Sequence, residues 1–371
     1  MSQLKYESRE NSFGFLRLLF ASLVILSHTP EIYDGNRNRE ILTNIFGSIS
    51  FGELAVDGFF LISGYLISAS YLKTQSPVSF LKKRIFRIYP AFAASYLICD
   101  LVVAPLGGGD VAVTPQHVLS LAARILLLQP PMSTTAFHGT YYPDLNGAMW
   151  TIPYEFRCYL LILALGLLGF FNRKRVILIT AISFLVLSCI IPEHYHPFGY
   201  EAALAQTQAH SFWDRIFNLT VGEPRSTIRF VGVFLCGSTY QIYKDRISFD
   251  KKWTAAFSAA ALVTFLFEPR TANLAVAIFG GYLVIAISNL GKQYVTCKIN
   301  SENDISYGVY LYAWPAAKLI LWYRPDMNIV LVGMLTLISA VIMGTVSWHL
   351  LEKPIMHKIQ RKAPSNPAVI A

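Results

Sequence analysis

The sequence predicts an all-α fold, a polytopic membrane helix bundle of about ten transmembrane helices with both termini cytoplasmic. Three observations predict it. Of 371 residues, 54% are hydrophobic and only 14% charged, a membrane composition. The apolar residues fall in long runs, and a hydrocarbon core of about 30 Å takes roughly 20 of them per helix, so ten spans use about 200 positions and leave room for loops only. The cations gather in alternate connections: with the N-terminus inside, cytoplasmic segments hold 20 Lys and Arg and outer segments 7, as retention of positive charge in the cytoplasm requires.

Taken in order, the expected spans are 13–30, 51–72, 88–106, 148–170, 176–192, 227–243, 253–268, 272–290, 305–323 and 328–351. The first apolar run follows Lys5 and Arg9 like a signal peptide, but Arg17 within it, Pro30 after it and the lack of a small-residue cleavage pattern mark an uncleaved helix. Segment 115–128 is short, carries Arg124 and reads as a helix lying at the interface. Two long outer loops, near 107–147 and 193–226, are aromatic-rich and polar, whereas the inner loops are short and cationic. Residues 1–352 form one membrane domain, and 353–371 a basic, proline-containing cytoplasmic tail. The net charge of +9 is accounted for by one membrane side, so no nucleic-acid partner is expected. Cys99, Cys158, Cys189, Cys236 and Cys297 show no metal-type or paired spacing and read as small packing residues. No metal is expected.

An ionisable side chain at membrane depth costs about 2.5–3.5 kcal/mol on insertion scales, which makes each one a functional candidate. Arg17 and His28 are 11 residues apart, so they face one side of the first helix about 16 Å apart. His28 lies near its outer end. Glu53 and Asp57 form an i,i+4 pair in the outer part of the second helix, and neighbouring carboxylates tend to share a proton. Glu155 is expected about two turns below the outer end of the fourth helix, with Trp150 and Tyr154 beside it. Pro153 either kinks that helix or marks its start. Topology thus gathers His28, Asp57 and Glu155 in one outer layer. The competing readings are a structural histidine, and ion pairs of Asp57 or Glu155 with Arg17, Arg157 or Arg229. The run from Lys82 to Arg87 is a topology signal that binds anionic lipid, or an anion cradle in which Lys83, Arg84 and Arg87 grip phosphate oxygens. Arg17 is a further cation at that end. Outer-loop residues Arg215, Arg225, His138 and Asp144 are candidate acceptor contacts, each also readable as a solvated loop residue.

Several strings carry a resemblance. They are Leu16-Arg17 with Ala21, Val24 and His28; Val56-Asp57-Gly58-Phe59-Phe60-Leu61-Ile62-Ser63-Gly64-Tyr65; Arg84-Ile85-Phe86-Arg87-Ile88-Tyr89-Pro90; Trp150-Thr151 with Glu155; Ile305-Ser306-Tyr307 with Tyr310-Leu311 and Trp314-Pro315; and Leu351-Glu352-Lys353-Pro354. In this order, over nearly the whole chain, the set resembles the acyltransferase-three family of bacterial membrane O-acyltransferases of O-antigen, exopolysaccharide, nodulation factors and peptidoglycan. The resemblance implies that His28 is the essential histidine, that Arg84 and Arg87 form its Arg-x-x-Arg motif, and that acyl-CoA, usually acetyl-CoA, is the donor. It implies a multi-pass protein of the bacterial cytoplasmic (inner) membrane that acylates a glycan or lipid-linked sugar at the outer face. His28 would then be the general base, with Asp57 or Glu155 fixing its tautomer. Many relatives carry a histidine before the Trp-Pro of the penultimate helix; Ala313 stands here, so that helix is assigned no catalytic role. The alternative from another class is a transporter of an anionic or sugar substrate, which would show internal repeats and matched broken helices, and no repeat is evident at any fixed offset.

Overall fold

A computed structural model describes residues 11–74, 76–110, 114–191, 211, 217–249, 251–290 and 294–361. The described residues form twelve helices and no strand: α1 (Phe13–Asp34), α2 (Ile41–Phe46), α3 (Phe51–Lys73), α4 (Pro77–Leu106), α5 (Pro115–Leu126), α6 (Ile152–Leu167), α7 (Lys174–Ile190), α8 (Pro224–Ile242), α9 (Lys252–Phe265), α10 (Pro269–Leu290), α11 (Ser306–Tyr323) and α12 (Ile329–Arg361). Five of them, α1, α3, α4, α10 and α12, are long and apolar enough to cross a membrane. The other expected spans fall on α6, α7, α8, α9 and α11, of 14 to 19 residues.

Local chemistry sets several starts. Ser50 and Glu53 form a reciprocal capping box at α3, so the Glu53 carboxylate is spent on the Ser50 backbone N–H at 2.9 Å. Its other oxygen lies 3.6 Å from Arg229 Nη1, the guanidinium that also holds Asp57, so a shared cation links the two carboxylates. Ser76 caps α4 with Pro77 at its first turn. That helix consequently begins eleven residues before the expected span at 88, and the cationic run Lys82–Arg87 is its second and third turns rather than a loop. Pro153 occupies the first turn of α6 behind a 3-10 turn at Gly147–Thr151, so it starts the helix and does not kink it. π-helical turns interrupt α4 at Cys99–Val103, α10 at Val276–Gly280 and α12 at Trp348–Glu352. Helix α12 continues past Glu352 into the expected tail as far as Arg361; residues 362–371 lie outside the described ones. Helix α5 has no buried residue, as an interfacial helix should.

Helix α1 packs against α3, α11 and α12, while α3 packs against α8. The α3–α8 seam is closed by small residues: a Cβ on Gly64 would fall 1.9 Å from the Phe234 carbonyl oxygen, and one on Gly237 2.1 Å from that of Leu61. Such contact between backbones needs glycine on both helices. The interior between α1, α3 and α11 is filled by Phe20, Phe59 and Tyr310, in edge-to-face contact in turn. Chain direction brings the C-terminal ends of α1 and α4 and the N-terminal ends of α3, α6 and α8 to one end of the bundle, with the N-terminal half of α4 at the other.

Candidate active site

At the first end, α1 runs through Pro30 and stops at Gly35, whose φ of 75° supplies the left-handed cap. The last two turns carry His28 and Glu31 on one face. His28 Nδ1 lies 2.6 Å from Glu31 Oε2. The other oxygen, Oε1, accepts from Arg37 Nε at 2.9 Å and lies 2.7 Å from Arg37 Nη2. An ionised carboxylate can only accept, so Nδ1 carries the hydrogen, and Nε2 is the basic nitrogen with no hydrogen bond to the described residues. The Glu31 side chain is 2% exposed and the His28 side chain 20%. The ring edges a narrow cleft with Val24, Ala148, Ala313 and Trp314 in its walls and a volume of about 10 Å³, the space of one water.

The penultimate helix, assigned no catalytic role from the sequence, lines this site. The Trp314 ring stands edge-on to the His28 ring at 5.0 Å, and its Nε1 donates to the Asp144 carbonyl at 3.1 Å. One turn on, the buried Lys318 ammonium donates to Thr140 Oγ1 at 2.7 Å and the Tyr141 carbonyl at 2.8 Å, and sits 5.0 Å over the Phe137 ring. Loop 137–144 is thereby fastened over the His28 cleft. Burial pushes the Asp144 carboxyl up to about 6, against the pull of Lys318 and with the repulsion of Glu31. His138 is exposed, and Arg225 lies in the first turn of α8. Arg215 lies outside the described residues.

The structure gives the three residues expected in one layer different partners. Asp57 is fully buried and bonded by Arg229 Nε at 3.0 Å. Glu155 accepts from Ser63 Oγ at 3.0 Å and from the Tyr159 hydroxyl. Neither is hydrogen-bonded to His28, whose carboxylate is Glu31 of its own helix. Asp57 thus follows the ion-pair reading, with Arg229 as the partner. Because α6 starts later than expected, Glu155 lies in its first turn, where it meets Ser63 in the middle of α3.

At the second end, Arg17 and Arg87 converge on one carboxylate. Asp304 Oδ2 accepts from Arg17 Nη1 at 2.8 Å and from Arg87 Nη2 at 2.6 Å, while Arg87 Nη1 reaches Glu352 Oε2 at 3.3 Å. Asn300 and Ser306 donate to Asp304 Oδ1. Burial alone would raise the Asp304 carboxyl; the two guanidinium groups and these hydrogen bonds outweigh it and hold the group well below the usual carboxylate range. Arg84 lies beside the rings of Phe80 and Tyr159, with Nη2 3.4 Å from Ser70 Oγ, and Lys83 is exposed. The two motif arginines therefore differ: Arg87 is committed to carboxylates and Arg84 to aromatic faces.

A family profile described as an acyltransferase domain matches residues 10–350. The chain belongs to the acyltransferase-three family. This displaces the transporter alternative. An O-acetyl transferase of Shigella phage Sf6 is 25% identical over 378 residues, covering 95% of this chain and 98% of its own length. Nodulation protein 10 of Rhizobium leguminosarum bv. viciae is 24% identical over 378 residues, covering 93% of each chain. No solved structure matches. The membrane acyltransferase fold so identified has functional candidates that sequence reasoning passed over. Glu31 stands at i+3 from His28, a spacing that signals contact on a helix. Asp304 directly precedes the quoted Ile305-Ser306-Tyr307 string. Trp314 and Glu352 lie inside quoted strings, and for the Lys318 contact with loop 137–144 the sequence holds no local signal.

Proposed function

We propose that this acyltransferase is an O-acyltransferase of the bacterial cytoplasmic membrane, crossing it ten times with both termini inside. It takes an acyl group, acetyl in the first instance, from cytoplasmic acyl-CoA to a hydroxyl of a glycan or lipid-linked sugar at the outer face. The observation that carries the reading is the His28–Glu31–Arg37 chain, with its basic Nε2 beside a cleft. The family and the name of the phage relative support acyl transfer to oxygen.

His28 Nε2 removes the proton of the acceptor hydroxyl as its oxygen attacks the thioester carbonyl. A C–O bond forms, the tetrahedral intermediate collapses with cleavage of the C–S bond, and the thiolate takes the proton from imidazolium. Glu31 fixes the tautomer and stabilises the imidazolium, and Arg37 keeps Glu31 ionised. At the other end Arg17, Lys83, Arg84 and Arg87 supply the cations for CoA phosphates. Phosphate must there compete with Asp304 and Glu352 for Arg87, whereas Lys83 is open to it.

The test is transfer of radiolabelled acetyl from acetyl-CoA to envelope glycans in membranes carrying wild type, His28→Ala or Glu31→Gln. His28→Ala should lose about 10²–10⁴-fold in rate, and Glu31→Gln roughly 10–100-fold, both with normal insertion. Undiminished labelling by His28→Ala would remove the histidine from the mechanism.

A further inference from the structure

The His28 end presents two hydrogen-bond acceptors that take no donor from the described residues. One is His28 Nε2. The other is the Asp144 carboxylate, which is half-buried rather than sealed and lies within electrostatic range of Lys318 on α11 and Glu31 on α1. Its position follows from its own backbone: the Asp144 carbonyl accepts from Trp314 Nε1 at 3.1 Å, and the Trp314 ring is 5.0 Å from the His28 ring. The N–H donors nearby are already committed, Trp314 to that carbonyl, Lys318 to Thr140 Oγ1 and the Tyr141 carbonyl, and Arg37 to Glu31. The carboxylate does nothing for the fold. Asn146, not Asp144, caps the 3-10 turn that follows, and burial pushes the Asp144 carboxyl up to about 6, which makes its ionised form the less stable one in the folded chain. The loop that carries it is held at a conformational cost as well, since Phe137 and Tyr142 take left-handed φ values of 57° and 50°.

We infer that Asp144 binds the acceptor: its carboxylate accepts from one hydroxyl while a neighbouring hydroxyl of the same molecule donates to His28 Nε2 and is acylated. Two acceptors side by side call for a ligand that brings the hydrogens. A polyol brings them. A phosphate or carboxylate does not, and it would meet Glu31 and Asp144 with the nearby N–H donors already committed. An ammonium is disfavoured by Lys318, the positive charge that Asp144 already faces. The acylated part of the acceptor is therefore neutral and polyhydroxylated, and Asp144 selects which hydroxyl reaches His28. Asp144 makes and breaks no covalent bond; a hydrogen bond to an ionised acceptor is about twice as strong as one between neutral groups, which suits it to holding the sugar while His28 takes the proton. The inference rests on the acyl-transfer reading, which supplies the hydroxyl at His28.

The experiment measures acetyl transfer by the purified full chain in detergent, from radiolabelled acetyl-CoA to the envelope glycan fraction, with each substrate varied in turn. Asp144→Leu should raise KM for the glycan about 10–100-fold while kcat stays within threefold and KM for acetyl-CoA is unchanged, the signature of a lost binding contact. Asp144→Asn, which keeps one acceptor oxygen without the charge, should raise it less, and Asp144→Glu, which keeps the carboxylate, least of all. The unfolding midpoints of Asp144→Asn and Asp144→Leu at pH 7 should be no lower than that of wild type, which separates a lost contact from a damaged fold. A glycan KM in Asp144→Leu equal to that of wild type overturns the inference, as does a matching rise in KM for acetyl-CoA or a fall in kcat alone. Those outcomes leave wild-type transfer intact and refute this contact only. Absence of transfer by wild type overturns the acyl-transfer reading and this contact with it.

Discussion

Asp57 and Glu31 are both buried carboxylates near the His28 end, yet they serve different cations. Asp57 Oδ1 holds Arg229 at 3.0 Å, and Oδ2 has no hydrogen bond among the described residues, so the pair is buried and only half satisfied. Removing one member strands a charge, at a cost of about 3–5 kcal/mol, whereas replacing both by apolar side chains can be neutral. Asp57→Leu and Arg229→Leu are each expected to lower the thermal unfolding midpoint in detergent sharply, and the double variant to recover most of the loss. Additive losses would contradict an ion pair. Asp144 gives a test with pH. Its folded-state pKa of about 6 lies above the ordinary 3.8, so the folded protein holds this proton more tightly. That contribution is fully present below pH 3.8 and is lost as pH rises to 6, by up to about 3 kcal/mol. Asp144→Asn should raise the unfolding midpoint at pH 7 and flatten its change between pH 4 and 6. His28 is legible from its depth in an apolar run, whereas its carboxylate is not, because Asp57 and Glu155 are the carboxylates inside expected spans. Glu31 lay one residue beyond the expected end of the first span, and α1 in fact continues to Asp34.

Between α3 and α8 the backbone approaches so closely that the register of the two helices fixes several side chains at once. Gly64 lies against Phe234 and Gly237 against Leu61. Beside Gly64, Ser63 donates to Glu155, and two turns before Gly237, Arg229 reaches Asp57. A methyl group at Gly64 has no space and must separate the helices, at about 1–3 kcal/mol for overpacking. Gly64→Ala is therefore expected to lower the unfolding midpoint and, by shifting Arg229, to make the effect of Arg229→Leu smaller in the double variant than in wild type. A midpoint equal to wild type would mean that the seam is looser than its geometry. The helices themselves could be read from apolar runs, because length and composition are local properties. The seam could not, since a glycine states that something comes close without stating what. The early start of α4 is written in Ser76-Pro77, but the charges at 82–87 are as typical of a cytoplasmic loop as of a helix.

Across the whole molecule the titratable groups divide between two ends, and the division carries the sidedness of the reaction. Arg17 and His28 lie about 16 Å apart along α1, the first within the Asp304 and Glu352 cluster and the second under loop 137–144. Positive residues dominate only the connections on the Arg17 side, and the proposed orientation, with cations retained in the cytoplasm, predicts Lys83 inside and His138 outside. Both residues are exposed, so a thiol at either position is reachable from its own aqueous phase. In a variant with the five native cysteines replaced, Lys83→Cys should resist a membrane-impermeant maleimide in intact cells and react after permeabilisation, whereas His138→Cys should react in both. The reverse pattern would put the His28 cleft in the cytoplasm, where acyl-CoA and acceptor meet without crossing the bilayer, and the two-ended arrangement would lose its purpose. Reaction of both in intact cells would mean that 83 and 138 share a side, which an odd number of crossings between them forbids. The outcome therefore tests the path of the chain through α4 as well as the direction of acyl transfer.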